Sequence, residues 1–222
     1  VKVFLGADAR TGATVDSGYS PFYFAVREGR LETVRALMAA GADVKALIEP
    51  PPPSVVGRRG TAKRAAITPL ALAVQNGHFE LAIALVEAGA DPNDLRTGFA
   101  PLHMMAGVRK PDSSDMSDPA PASGAGRMSS AEFVREIVKR GAQVNLRLPK
   151  GSPKQPATSS SVGSEGATPF LFAADRGDVA LMRLLLQLGA DPLIGNLQGT
   201  TPLLAAAGVG TNEPQEEAGE ES

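Results

Sequence analysis

The sequence predicts an all-α solenoid of short helix pairs stacked in one row. Three observations carry the prediction. The stretch Thr168 to Pro192, TPFLFAADRGDVALMRLLLQLGADP, reads as a complete helix-turn-helix unit. Close copies of it recur: SPFYFAVREGRLETVRALMAAGAD from Ser20 and TPLALAVQNGHFELAIALVEAGAD from Thr68. The spacing is fixed, with Pro21 to Gly41, Pro69 to Gly89 and Pro169 to Gly189 each 20 residues apart, and Pro69 to Pro101 and Pro169 to Pro202 separated by 32 and 33. Self-similarity at such a period is the mark of a stacked repeat. Neither helix of a pair is long enough to hold itself together in water, so each unit must bury its apolar side on a neighbour.

Each element of the unit has a local cause. Thr168 can cap a helix through its hydroxyl, and Pro169 follows at the first helical position, where a missing N–H costs nothing. A short apolar helix runs to Asp175 and Gly177 breaks it. A second helix spans about Val179 to Leu188 and ends at Gly189, since a left-handed C-terminal residue is cheapest as glycine.

In chain order, Val1 to Ala9 (VKVFLGADA) reads as the end of a second helix and its exit. Whole units follow at 18–44, 66–92, 98–145 and 166–192. The third begins with APLHMMAGV at Ala100 and finishes with AEFVREIVKRGAQVN at Asn145. A last first helix, Thr201 to Ala207, closes a single array over 1–207, and 208–222 reads as an acidic linker or insertion. The incomplete units at both ends suggest the middle of a longer array.

Aligned on their terminal glycines, the second helices share an apolar stripe at i, i+3, i+6 and i+7. Its columns are Leu31, Phe79, Ala131 and Val179; Val34, Ala82, Val134 and Met182; Leu37, Leu85, Ile137 and Leu185; and Met38, Val86, Val138 and Leu186. The first helices carry Ala25, Ala73, Ala106 and Ala173 in one column, small enough to let helices approach.

Three insertions interrupt the pattern. Gly41 to Pro69 and Gly141 to Pro169 span 28 residues, against 12 from Gly89 to Pro101. The first holds Pro50 to Pro53 and the basic residues Arg58, Arg59, Lys63 and Arg64. The second holds Arg147, Lys150, Lys154 and a Ser/Thr run to Ser161. Their Pro-, Gly- and Ser-rich composition predicts extended segments that do not pack. The third insertion, roughly Arg109 to Met128, separates the two helices of one unit, and Ser129 with Glu132 forms a capping box where the second helix restarts.

A 33-residue period with the box T-P-L-H-x-A, as in Thr68-Pro-Leu and Ala100-Pro-Leu-His103, resembles the ankyrin-repeat family, and the resemblance covers nearly all of the chain outside the insertions. It implies β-hairpin fingers in the exit-to-entry intervals. It also implies a concave groove that holds the residue two before each proline, here Tyr19, Ile67, Phe99, Ala167 and Thr200. The pairs before the interhelix glycine face the same groove: Arg27 and Glu28, Gln75 and Asn76, Asp175 and Arg176. Tyr19, Ile67 and Phe99 would form an exposed apolar strip with a polar rim, the footprint of a protein-binding surface. The competing expectation is that the long insertions fold over that strip. The resemblance implies structural roles for His78 and His103, and insertions of this style suggest a bacterial source.

The remaining chemistry is thin. A net charge of −2 points to neither nucleic acid nor membrane, and the chain has no cysteine to serve as nucleophile, ligand or disulfide. No apolar run approaches the roughly 20 residues of a spanning helix. Asp43, Asp91 and Asp191, one per exit, suit turns rather than paired acid–base work. Phosphate-loop, dinucleotide and nucleophile-elbow motifs are missing. The basic cluster at 58–64 has no interleaved aromatic for base stacking. The sequence therefore predicts no enzyme, no catalytic residues, no metal and no cofactor. It predicts a protein-interaction scaffold with a protein partner, no nucleic acid and no membrane insertion, soluble in the cytoplasm, the periplasm or outside the cell. The alternative is a structural or accessory segment of a larger polypeptide or complex.

Overall fold

The computed structural model describes residues 20–48, 66–109, 124–154 and 160–209. Tyr19 and the basic cluster at 58–64 lie outside the described residues. Among those described, nine helices alternate with tight turns: α1 (Pro21–Arg27), α2 (Leu31–Ala39), α3 (Pro69–Gln75), α4 (Phe79–Glu87), α5 (Pro101–Arg109), α6 (Ser130–Lys139), α7 (Pro169–Asp175), α8 (Val179–Gln187) and α9 (Pro202–Ala206). The chain is an all-α repeat solenoid.

The first helices start as the sequence indicates. Ser20, Thr68, Thr168 and Thr201 each accept a hydrogen bond from the backbone N–H three residues on, at 3.2–3.3 Å, with proline at the first helical position. Ser129 and Glu132 complete the reciprocal capping box at α6. The glycines that end α4 and α8, Gly89 and Gly189, sit at φ +103° and +95°, where a side chain would be strained.

Helices α1, α3, α5, α7 and α9 pack in one row, and α2, α4 and α6 in a second row beside it, with each second helix against its own first helix. The alanine column lies where the rows are tightest: Ala73, Ala106 and Ala173 are fully buried. In the second row the i+3 and i+6 columns are buried as expected, except that Met182 is only partly covered. The i and i+7 columns are half-covered at most positions, and Val179 and Leu186 are exposed. The stripe predicted from spacing misses the i+2 column, where Leu81, Phe133 and Leu181 are buried. Phe133 stacks on Phe79 of the preceding unit, ring centroids 4.9 Å apart.

Exits are tied by side chains. Asp43, Asp91 and Asp191 each accept from the backbone N–H two residues on, at 2.8–2.9 Å. Asn93 reaches forward to the next exit, donating to the Gly141 carbonyl at 2.9 Å and accepting from Gln143 N–H at 2.8 Å. Asn145 does the same for Gly189 and Asp191, at 3.0 and 2.8 Å. Asn145→Ala removes two such bonds at an exposed site and is expected to lower stability by about 1–2 kcal/mol. Urea unfolding followed by circular dichroism reads this, and an unchanged midpoint would show the clasp to be idle.

The expected fingers appear only at their bases. Ile48 and Ile67 form an antiparallel bridge, and Leu148 exchanges backbone hydrogen bonds with Gly166 and Ala167; the described residues contain no longer strand. The expectation that the second insertion does not pack is corrected for its described parts. Leu148 and Ser164 are buried and Val162 rests on the core. Pro153 lies so close over Gly98 that a Cβ there would come within 2.5 Å of the proline ring.

Candidate functional site

The predicted site residues split into two groups. Arg27 and Glu28 are exposed at the end of α1, and Gln75 is exposed at the end of α3, one unit along. The Arg27 guanidinium donates twice to Glu28 Oε1, at 2.9 and 2.8 Å, and lies 5.1 Å over the Phe24 ring. An ion pair this exposed adds little stability and can be traded for contacts with a partner. Asn76 is half-buried and caps its own helix, donating to the Leu72 carbonyl at 2.8 Å.

The apolar strip does not form as expected. Phe99 is a core residue, 8 % exposed, with its ring 6.0 Å from that of Phe172. It follows the Gly98 turn, which Pro153 covers, and its ring lies against α7. Ile67 is half-buried, its backbone paired with Ile48 and its side chain against the core. Ala167 is fully buried.

Asp175 and Arg176, at the end of α7, are half-buried. The chain's own second insertion reaches them: the Ser160 hydroxyl donates to Asp175 Oδ1 at 2.6 Å. From there the segment Ser160 to Glu165 follows the array to the next loop. Asn196 Nδ2 donates to the Gly163 carbonyl at 2.9 Å, and Leu197 N–H to the Glu165 carbonyl at 2.8 Å. Glu165 Oε1 accepts from Gly151 N–H at 2.8 Å, closing the insertion on itself.

Both histidines do structural work. His78 takes the Ala125 N–H on Nδ1, so its proton sits on Nε2 and is donated to the Arg27 carbonyl, each bond 2.8 Å long. It thus joins the turns of the first two units to the returning leg of the third insertion. Glu80 holds that leg as well, Oε1 accepting from Arg127 and Met128 N–H at 2.8 and 3.1 Å. His103 is 1 % exposed and its Nε2 donates to the Leu146 carbonyl at 3.0 Å. Burial pushes its pKa down to about 4, against a partial upward pull from the carbonyls of Ala167 and Leu146.

Sequence reasoning missed one ionic centre. Asp178 is 2 % exposed and caps α8, accepting from Leu181 N–H at 3.0 Å. Arg109, at the end of α5, donates to it through Nε at 2.7 Å and Nη2 at 3.3 Å, and through Nη1 to the Ser130 hydroxyl. The signal was present: the residue before each second helix reads Arg30, His78, Ser129 and Asp178, and only the last is a carboxylate. A cleft of about 350 Å³ opens beside Arg109, between Phe79, Val108, Met128 and Ser130, but its guanidinium is committed to Asp178.

Among the described residues no group of three or more His, Asp or Glu side chains is placed to hold a metal ion, and no helix is long and apolar enough to cross a membrane. A comparison with curated proteins returned no match. The ankyrin-repeat family model matches residues 17–47, 67–96 and 165–197, which are the first, second and fourth units; the third, split by its insertion, lies outside the matched segments. The match says nothing of the source of the chain. Capped helix pairs, two stacked rows and three matched segments agree: the chain carries three ankyrin repeats.

Proposed function

We propose that the chain is a protein-interaction scaffold that receives a protein partner along the C-terminal ends of its first helices, with Arg27, Glu28 and Gln75 as the accessible contacts and Asn76 at the edge. Ankyrin repeats are in general protein–protein interaction modules, and the family is typically non-catalytic. The observation that carries the reading is positional. Arg27 and Gln75, at the same point of the first two units, are exposed and polar, while the helices behind them are buried in a continuous core. A surface held this way loses little ordering entropy on docking. Tyr19, a further candidate contact, lies outside the described residues; Ile67 is proposed to border this surface. Phe99 is dropped from it, because its ring belongs to the core.

The test uses the full chain and a partner recovered with it. The triple variant Arg27→Ala, Glu28→Ala, Gln75→Ala is expected to bind at least tenfold more weakly by calorimetry, with an unchanged thermal midpoint. Equal affinity would remove this surface from consideration.

One observation favours the alternative reading, an accessory segment of a larger polypeptide or complex. Val179, Leu186, Leu193 and Leu203 are 55 %, 44 %, 82 % and 79 % exposed, all in the last described units. Exposed apolar side chains in such number are suited to being covered by further protein.

A further inference from the structure

The polar column that is open at α1 and α3 is already occupied at α7, and the occupant is the chain itself. Ser160 to Glu165 lies against Asp175 at one end and against the 196–197 loop at the other. Its bonds are of the kind an extended peptide ligand makes: a hydroxyl to the Asp175 carboxylate at 2.6 Å, a carbonyl to the Asn196 amide at 2.9 Å, and a carbonyl to the Leu197 N–H at 2.8 Å. Val162 supplies a small apolar contact with the core, and Val162 N–H folds back on the Ser160 hydroxyl at 3.2 Å. The backbone at Gly163 passes close to the Gln198 side chain, with the Gln198 amide about 2.6 Å from where a Cβ would stand. Asn196 is itself 6 % exposed and is fixed by accepting from Gln198 and Thr200 N–H at 3.1 and 2.8 Å, so its amide is held ready for whatever chain passes.

We propose that the α7 end of the array is a binding site for a short, extended, Ser- and Gly-rich peptide segment, and that residues Ser160–Glu165 fill it as a built-in competitor which an incoming partner must displace. This rests on the interaction-scaffold reading and adds to it a division of the surface into an open half at α1–α3 and a self-occupied half at α7–α9. The competitor is tethered, so it acts at a high effective concentration without needing a strong intrinsic affinity. An arm docked ten times as often as it is displaced lowers the apparent affinity of an external peptide about tenfold.

Peptides are selected by display against an arm-deleted chain, in which residues 155–163 are replaced by Gly-Gly, which removes the Ser160 and Gly163 contacts and leaves Pro153 over Gly98, the Gly151–Glu165 bond and the Leu148–Ala167 pairing in place. Counter-selection uses the same chain carrying Asp175→Ala and Asn196→Ala. The recovered peptides are then titrated against the arm-deleted and unaltered chains. At least tenfold tighter binding to the arm-deleted chain is expected. Ser160→Asp in the otherwise unaltered chain sets a second carboxylate against Asp175 and is expected to recover most of that gain; it also serves if the deletion does not fold. Recovery of no peptide dependent on Asp175 and Asn196, or equal affinity for the unaltered chain and the altered ones, would overturn the proposal. Either result leaves the Arg27–Gln75 surface standing, because that surface is tested by its own variant and its own partner.

Discussion

Asp178→Ala is expected to destabilise the array by about 3–4 kcal/mol, the largest single effect among the polar residues. Two losses combine. The N-cap of α8 disappears, at a cost of about 1 kcal/mol. The Arg109 guanidinium, whose side chain is only 20 % exposed, loses the carboxylate that compensates its burial, and removing one partner of a buried pair costs about 3–5 kcal/mol when desolvation is complete. The residual exposure of Arg109 puts the expectation near the lower end. Asp178→Asn keeps an oxygen for the Leu181 N–H and should lose about half as much. Arg109→Met combined with Asp178→Ser restores an uncharged cap with no stranded charge, and is expected to recover most of the loss. Urea midpoints by circular dichroism decide the matter. A drop in Asp178→Ala below about 1 kcal/mol would mean that the pair is solvated and does not join the third and fourth units.

Acid is expected to remove about 3 kcal/mol of stability through His103 alone. Its folded pKa of about 4 lies below the 6.5 of an unfolded histidine, so the unfolded chain binds the extra proton first. The contribution is therefore intact above pH 6.5, is lost progressively as pH falls from 6.5 to 4, and is fully lost below 4. His103→Leu separates this group from the carboxylates. Leucine fills the corresponding position in the fourth unit, where Leu171 is fully buried. The variant should be about 1–2 kcal/mol less stable at pH 7, because the Leu146 carbonyl loses its donor. Its stability should nevertheless fall less between pH 6.5 and 4.5 than that of the unaltered chain. Parallel pH profiles for the two chains would mean that His103 is protonated in the folded state.

The fold could be read from the sequence because its signals are local and repeated. In the first, second and fourth units a Ser or Thr cap followed by proline, and a glycine 20 residues after it, mark where the helix pair starts and stops without reference to the rest of the chain. The alanine column was readable for the same reason. The binding surface was harder because exposure is a property of neighbours. Phe99 occupies a position that the repeat pattern leaves open, yet its ring is buried beside Phe172, a contact 73 residues away that spacing does not encode. Likewise nothing in the run of serines before Val162 says that one hydroxyl will meet Asp175, 15 residues away. Insertions obey no period, so their docking depends on contacts that spacing does not encode.

The asparagine clasps give the array a polarity. Asn93 secures the turn that follows α6, and Asn145 the turn that follows α8; in both cases the earlier unit holds the later one. Removing the fourth unit takes Gly189 and Asp191 from Asn145 and so opens a clasp. Removing the first unit opens neither, because the earlier of the two asparagines, Asn93, stands at the exit of the second. Shortened versions of this protein with the same number of units are thus unequal, and those that keep the carboxyl-terminal side retain both fastenings.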